Sequence, residues 1–435
     1  MASDNVLTAA GAALHFLVDG LCVCCLYQLV GKDSIEALLP VFLTYNIFAF
    51  LTQPLTGMLA DRLRPLDALL AAAVSLLAVG VMLTALTAVL PLGVNVVMLA
   101  VSATLGMGNS LFHVWGGKAV AVGSGNDVRS LGVFVSTGAM GLAVGVVCHG
   151  WALLFALLLA MTLLALFVLR RPTVSTARRN HALMGTSSAW LVIVAVMVFV
   201  ALRSLSAEMC SSRLSVQGMT VLAVAGVAML GKMGGGWIAH WTGTVRALVM
   251  MALGAWVCLW NGSSMTLLLA GLFLVNATMS VTLYWANRAL CGCEGLAFGL
   301  LAASLMPGYL LANGGGTNLT GLLVMLVPTI VIELLVLWLL NERRPKVLWS
   351  AVVVNMLTNV PLNLLLQYYV GLSLTSVAVA EAVVLLAETA WYRYFVERWR
   401  TAFIYSFLCN AISCLTGFLV QLLWILFTII FQKSA

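Results

Sequence analysis

His15 and Asp19 stand four residues apart in the stretch HFLVDG, inside an apolar run that extends from about residue 7 to residue 30. That spacing is about one helical turn, so both side chains lie on one face near the middle of the segment. Ionisable groups at membrane depth are costly and by default mark a pathway for an ion or a substrate. A carboxyl in that position can take up and release a proton as a cation approaches and leaves. Arg203, an intramembrane charge in the seventh apolar segment, is the expected counter-ion. Together His15, Asp19 and Arg203 are expected to form a central polar network that couples protons to transport. The competing reading is a static clasp, because polar side chains also hold membrane helices together.

Asn109 and His113 repeat the four-residue spacing in the fourth segment, with Trp115 just beyond, and the tenth segment carries Asn276, Tyr284, Trp285 and Asn287. Facing a cavity, Asn109, His113, Trp115, Tyr284 and Trp285 would give a mostly apolar wall with a few polar anchors, suited to a small molecule. Aromatic residues near helix ends also form interfacial belts, so Trp285 fits either role. Lys232 and Glu208 are further charges within apolar runs and are candidates to join the network.

The elements that must position these residues follow from composition. The chain has 435 residues, 63% hydrophobic and 8% charged, where an ordinary soluble domain is about a quarter charged. A water-soluble fold is excluded. The sequence divides into fifteen apolar segments, approximately 7–30, 36–60, 66–90, 93–116, 128–148, 150–169, 187–207, 216–239, 245–260, 264–286, 296–313, 318–340, 346–369, 374–395 and 401–431. In lipid each backbone N–H and C=O must be satisfied within the segment, so runs of this length are helices and the fold class is all-α and polytopic. The start MASDN has no basic region and the first apolar run is long enough to span, so no cleavable leader is expected.

The net charge of +7 is topological. With the N-terminus in the cytoplasm, the basic residues outside the membrane fall on the cytoplasmic side except for Lys32, Arg213 and Lys433, as the positive-inside rule requires. Nucleic acid is therefore not an expected partner; a lipid bilayer is. The ten cysteines lie mostly inside apolar segments, without the paired spacing of a metal site, and read as small packing side chains. No metal and no cofactor is expected.

The polar stretch RRPTVSTARRNHALMGTSS separates six segments from six. The expected organisation is a bundle of six helices over 1–169, a cytoplasmic linker over 170–188, a second six-helix bundle over 189–342 and three additional helices over 343–435. The halves carry a weak repeat: PLTGMLADRLRPLDAL closes the second segment and KMGGGWIAHWTGTVRAL the eighth. Gly138, Gly141 and Gly145 in the fifth segment and Gly295 and Gly299 in the eleventh stand where backbones can approach closely. In the tail, Asn355, Asn359 and Asn363 form one stripe and Glu381 and Glu388 another; pairing of the glutamates with Arg393 or with the asparagines is expected, while Glu333 has no evident partner.

The second segment ends in Asp61-Arg62 with Arg64 close behind, and Gly57 lies one turn before Asp61. There the carboxylate can cap the N-terminus of a neighbouring helix or pair with an arginine across a domain boundary, in a contact that one conformation makes and another breaks. The stretch GMLADRLRPLDAL resembles the loop 2–3 signature of the major facilitator superfamily, G-x-L-a-D-r-x-G-r-r. That resemblance implies a twelve-helix fold of two pseudo-symmetric bundles, here with about three more helices, in which Gly57, Asp61, Arg62 and Arg64 gate the cytoplasmic side. HFLVDG, TQPLTGMLADR and GNSLFHVWGGKA further resemble the fosmidomycin-resistance-type efflux branch, over roughly residues 10–345. Val114 and Trp115 stand where that branch has Pro and an acidic residue, and the fifth segment lacks its closing Gly-Pro.

The expected function is secondary active transport by alternating access, exporting a small hydrophobic or amphipathic molecule in exchange for protons across a bacterial-type inner membrane. Proton-coupled uptake of a small metabolite is the alternative. No H-E-x-x-H or G-x-S-x-G motif argues for an enzyme, and no selectivity ring for a channel. A monomer is expected, with the C-terminal module as the candidate surface for self-association.

Overall fold

In the computed structural model, the described residues are 2–30, 35–87, 94–169, 187–260, 264–313, 319–366 and 373–432. All elements among them are helical. In chain order they are α1 (Ala2–Val30), α2 (Ile35–Asn46), a π-helical turn (Ile47–Leu51), α3 (Gln53–Arg62), α4 (Asp67–Thr87), α5 (Val94–Gly123), α6 (Val128–Val147) and α7 (Ala152–Leu169). Then follow α8 (Ser187–Val216), α9 (Val221–Thr242), α10 (Thr244–Trp260), α11 (Met265–Ala289), α12 (Glu294–Ala303) and α13 (Leu305–Asn313). The last four are α14 (Leu319–Leu339), α15 (Pro345–Leu365), α16 (Leu374–Phe395) and α17 (Trp399–Gln432).

Each of the fifteen apolar segments appears as helix, and two are broken. The second becomes α2, the π-helical turn and α3; the eleventh becomes α12 and α13. The first break has a local cause in Thr52-Gln53-Pro54. Proline brings no N–H, and the wider turn frees carbonyls that lipid cannot satisfy. The neighbouring side chains do so: Thr52 Oγ1 donates to the Phe48 carbonyl at 2.6 Å, and Gln53 Nε2 to that of Ala49 at 2.7 Å. Among the described residues ten helices are long and apolar enough to cross a bilayer, and Ala152–Ala165, Thr244–Trp260 and Leu326–Leu339 are shorter apolar helices. The linker, 170–188, lies outside the described residues except for Ser187 and Ser188.

The chain forms two compact units, Met1–Leu183 with Leu191–Ala312, and Met184–Trp190 with Asn313–Ala435. In the first, α1 packs on α5, α6 and α7, α4 on α5, and α9 on α10 and α11. Two further pairs, α3 with α12 and α6 with α9, use glycine against backbone. A Cβ on Gly57 would collide with the Gly295 carbonyl and one on Gly299 with that of Gln53; a Cβ on Gly236 would stand 2.6 Å from the Val128 carbonyl oxygen and one on Gly132 2.9 Å from that of Lys232. In segment numbers these pairs are second with eleventh and fifth with eighth, which exchange when each segment is matched with the one six places on.

In the second unit, α14 packs on α15 and α17, and α16 on α15 and α17. Its buried polar groups sort differently from the expectation for the tail. Glu333 accepts from Asn355 Nδ2 at 2.6 Å. Glu388 accepts from Thr358 at 3.0 Å, Ser406 at 3.3 Å and Asn410 at 2.5 Å, and not from Arg393, whose Nη1 donates to the Val396 carbonyl instead.

Candidate functional site

Helix α1 carries His15 and Asp19 one turn apart, and α5 carries Asn109 and His113 one turn apart; packing of α1 on α5 brings the two pairs together. Helix α6 closes the third side with Gly138, where a Cβ would stand 2.5 Å from Asp19 Oδ2 and closer still to His15 Nε2. Gly138 is thus glycine because the polar cluster occupies the space a side chain would take. Gly141, one turn on, lets α6 meet the backbone of Phe16.

The cluster is bonded throughout. Asn109 Nδ2 donates to Asp19 Oδ1 at 2.7 Å. His15 Nε2 lies 3.3 Å from Asp19 Oδ2, and His113 Nε2 lies 3.6 Å from Asp19 Oδ1. The Nε2 atoms of the two imidazoles are 2.7 Å apart. His15 Nδ1 reaches the Phe134 carbonyl at 2.7 Å, and His113 Nδ1 that of Asn109 at 2.9 Å. All four side chains are buried. The ligating atoms of His15, Asp19 and His113 lie within 4.8 Å of one another. Two imidazole nitrogens sharing a tetrahedral metal at 2.0–2.1 Å stand about 3.3 Å apart, so the 2.7 Å separation here is that of a hydrogen bond rather than of two metal ligands.

These residues form one wall of a cavity of about 310 Å³. The facing wall comes from α8, α9, α11, α12 and α13 and includes Arg203, Glu208, Lys232 and Asn276. Gln53 contributes from α3. Its amide oxygen is buried without a hydrogen-bond partner, as is Arg203 Nε. The structure therefore brings Arg203 to the same cavity as His15 and Asp19 but corrects the expected pairing. Arg203 has no ion-pair partner among the described residues, because Asp19 is already held by Asn109 and two histidines on its own side.

Of the residues expected to face a cavity, Asn109 and His113 line this one and three aromatics do not. Trp115 does not line the cavity: it is fully buried, and its Nε1 donates to Asp67 Oδ1 at 3.2 Å. Being two residues past His113, it faces across α5 toward α4. Tyr284 and Trp285 sit near the end of α11, where the tyrosine hydroxyl accepts from Arg288 at 3.0 Å and the indole lies 5.9 Å beneath the same guanidinium. Both are partly buried against the cluster of Val128, Ala247 and Met251, away from the cavity.

Of the residues expected to gate the bundle, Asp61 is held in a bond network that includes a residue of no evident sequence signal. Asp61 accepts from the backbone N–H groups of Gly295 and Leu296, both at 2.9 Å, at the N-terminus of α12. It also accepts from Lys118 Nζ at 2.8 Å, and Lys118 donates further to the Ala60 carbonyl at 3.0 Å. The helix-capping alternative is the one realised, with lysine rather than arginine as the cation. Gly57 and Gly295 meet beside it, so close that neither position has room for a methyl group. Arg62 and Arg64 are exposed at the end of α3. A second link at the α5–α6 turn was not visible in the sequence. Asn126, at a positive φ of 65°, donates to the Tyr284 carbonyl at 3.3 Å and accepts from Asn287 at 3.0 Å. Asp127 caps α6 and pairs with Arg129 at 2.7 Å.

No protein-family model matches the chain, and no curated protein matches its sequence. Among solved structures it is similar to the E. coli fucose:proton symporter, FucP, at a TM-score of 0.54 and 15% identity, over 81% of this chain and 98% of that one. A structure of FucP in the outward conformation gives a TM-score of 0.52 and 15% identity over 80% and 97%. A bacterial homologue of the iron transporter ferroportin, in an outward-facing state, aligns over 94% of this chain and 98% of that one at 13% identity and a TM-score of 0.42. The helix count, the packing of glycine-lined helix pairs and the likeness to FucP together give this chain the all-α, polytopic fold of major facilitator transporters.

Proposed function

We propose that the protein is a secondary active transporter working by alternating access, which exports a small hydrophobic or amphipathic molecule in exchange for protons. The observation that carries this reading is the bonded cluster of His15, Asp19, Asn109 and His113 in one wall of a cavity whose other wall presents Arg203 and Lys232. Costly charges gathered around a space of about 310 Å³ fit a small substrate, at the lower end of the usual range of ligand pockets. The Asp61–Gly295–Lys118 network supports a gate: such a contact between α3 and α12 is strong when formed and must break if the halves part. Its place in the membrane, with the N-terminus and the Asp61 end cytoplasmic, follows the positive-inside rule. Export is favoured by the motifs that resemble the fosmidomycin-resistance-type branch; Gly57, Asp61, Arg62 and Arg64 serve as the gate, and the 343–435 segment as an added membrane module.

The reading is tested with the full chain in everted vesicles carrying an imposed pH gradient and a panel of amphipathic dyes and small sugars. Antiport accumulates a dye when the vesicle interior is acid, and Asp19→Asn abolishes the accumulation at unchanged protein level. Unchanged accumulation in Asp19→Asn removes Asp19 from the mechanism, and absence of gradient-driven movement of any compound removes the transporter reading. Uptake is the second reading, favoured by the likeness to a fucose:proton symporter. In the same vesicles it would move a sugar together with protons rather than against them.

A further inference from the structure

We infer that His15 and His113 share a single proton between their Nε2 atoms, and that this shared proton, neutralised by Asp19, is the coupling ion of the transport cycle. The inference rests on the transporter reading for its second half and on geometry alone for its first.

The argument starts from the far side of each ring. His15 Nδ1 contacts the Phe134 carbonyl and His113 Nδ1 the Asn109 carbonyl. A carbonyl oxygen only accepts, so each Nδ1 must carry a hydrogen. In two neutral rings both Nε2 atoms would then be bare lone pairs. They face one another at 2.7 Å, a distance at which two lone pairs repel and an N–H···N bond fits. One added proton converts the repulsion into a charge-assisted hydrogen bond. Asp19 lies against both nitrogens, at 3.3 Å and 3.6 Å, so the carboxylate and the shared proton cancel within one buried cluster. Neutral and bonded, the cluster suits a low-dielectric site; without the proton it holds an uncompensated carboxylate and two opposed lone pairs.

Among the described residues, no group on the same side other than Asp19 makes an ion pair with the two imidazoles. On α1, Cys22 lies beside Asp19; on α2, Tyr45 faces the cavity. Helix α6 carries Arg129, which is paired with Asp127, and α7 carries no titratable side chain. Across the cavity stand Lys232 and Arg203, with Glu208. Release of the shared proton therefore leaves Asp19 as an unbalanced negative charge facing two cations of the other wall, which gives the two protonation states different preferences for how closely the walls approach. In the cycle the proton arrives from water on one side, resides between the two Nε2 atoms, and leaves to water on the other.

The experiment uses the full chain in lipid nanodiscs, with isotope-labelled histidine and the variants His15→Gln, His113→Gln and the double substitution. The wild type should show a nitrogen–nitrogen coupling across the hydrogen bond between the two Nε2 atoms. By proton titration each single variant should bind one proton fewer than wild type, and the double variant no fewer than either single one; His149, His181 and His240 are present in every variant and cancel. Two imidazoles that titrate independently, with losses that add, overturn the shared proton. Zinc binding at stoichiometric level in the wild type, lost in His113→Gln, overturns it in favour of a metal site. In vesicles, His113→Gln should lose gradient-driven transport while keeping wild-type thermal stability. Retained transport in a variant that has lost the proton overturns the coupling role and leaves the transporter reading intact; no transport by a wild type that holds the proton overturns the transporter reading and the coupling role together, but not the shared proton.

Discussion

Asp19 and Asp61 are both buried aspartates, and their donors differ in kind. Asp61 is held by two backbone N–H groups and by Lys118, all of which are donors at any pH at which the protein exists. Asp19 is held by one permanent donor, Asn109, and by two imidazoles, whose capacity to donate depends on a proton. The first arrangement is a lock between α3 and α12 that opens only by separation of its parts. The second, if it holds the shared proton we infer, would change charge without moving. The same side chain becomes structural or responsive according to whether its neighbours can titrate.

The comparison is broken most sharply by Asp61→Asn, which leaves the Lys118 ammonium buried without its anion. Removing one partner of such a pair costs about 3–5 kcal/mol, read as a large fall in the unfolding midpoint in detergent; Asp61→Asn with Lys118→Met should recover most of it. A midpoint equal to wild type would show that the contact is no lock. Gly138→Ala comes next: its methyl group enters the space of Asp19 Oδ2 and His15 Nε2, so overpacking should cost about 1–3 kcal/mol together with transport. Asp19→Asn is smaller in stability, under about 1 kcal/mol, because the proton between the imidazoles can leave together with the carboxylate's charge, so that no buried charge is stranded as it is at Lys118, yet it should abolish coupling. Equal destabilisation by Asp19→Asn and Asp61→Asn would erase the distinction.

Glu342, buried in the turn between α14 and α15 with its ion-pair partner Arg344 half exposed, completes the series. Burial by itself would raise its carboxyl, but hydrogen bonds from the Arg344 side chain and N–H and from the Tyr405 hydroxyl hold it down at about 2. A carboxyl lowered on folding adds stability above its unfolded value near 4.5, and that contribution fades as pH falls toward 2. With Arg344 half exposed, Glu342→Gln should cost at most about 1 kcal/mol at neutral pH and nothing at acid pH, with the difference shrinking in high salt.

The site was legible in pairs and not as a cluster. The four-residue spacing of His15 with Asp19, and of Asn109 with His113, can be read along a single helix. That the two pairs meet depends on the approach of α1, α5 and α6, which no spacing encodes. Lys118 looked like one more basic residue on a cytoplasmic flank, and only packing against Ala60 and Asp61 gave it a role. Trp115 misled for the opposite reason: two residues beyond His113 is about half a turn, on the opposite face of the helix, so nearness in sequence placed it on the wrong wall.

The sequence by itself determined the helical segments, because in lipid each apolar run must close its own hydrogen bonds, and it determined where backbones touch, because only glycine at 57, 141, 295 and 299 leaves room for them. Tertiary structure alone decided which charges became partners. A charge pairs with whatever donor the packing sets within about 3 Å, and that distance belongs to the approach of two helices rather than to either sequence.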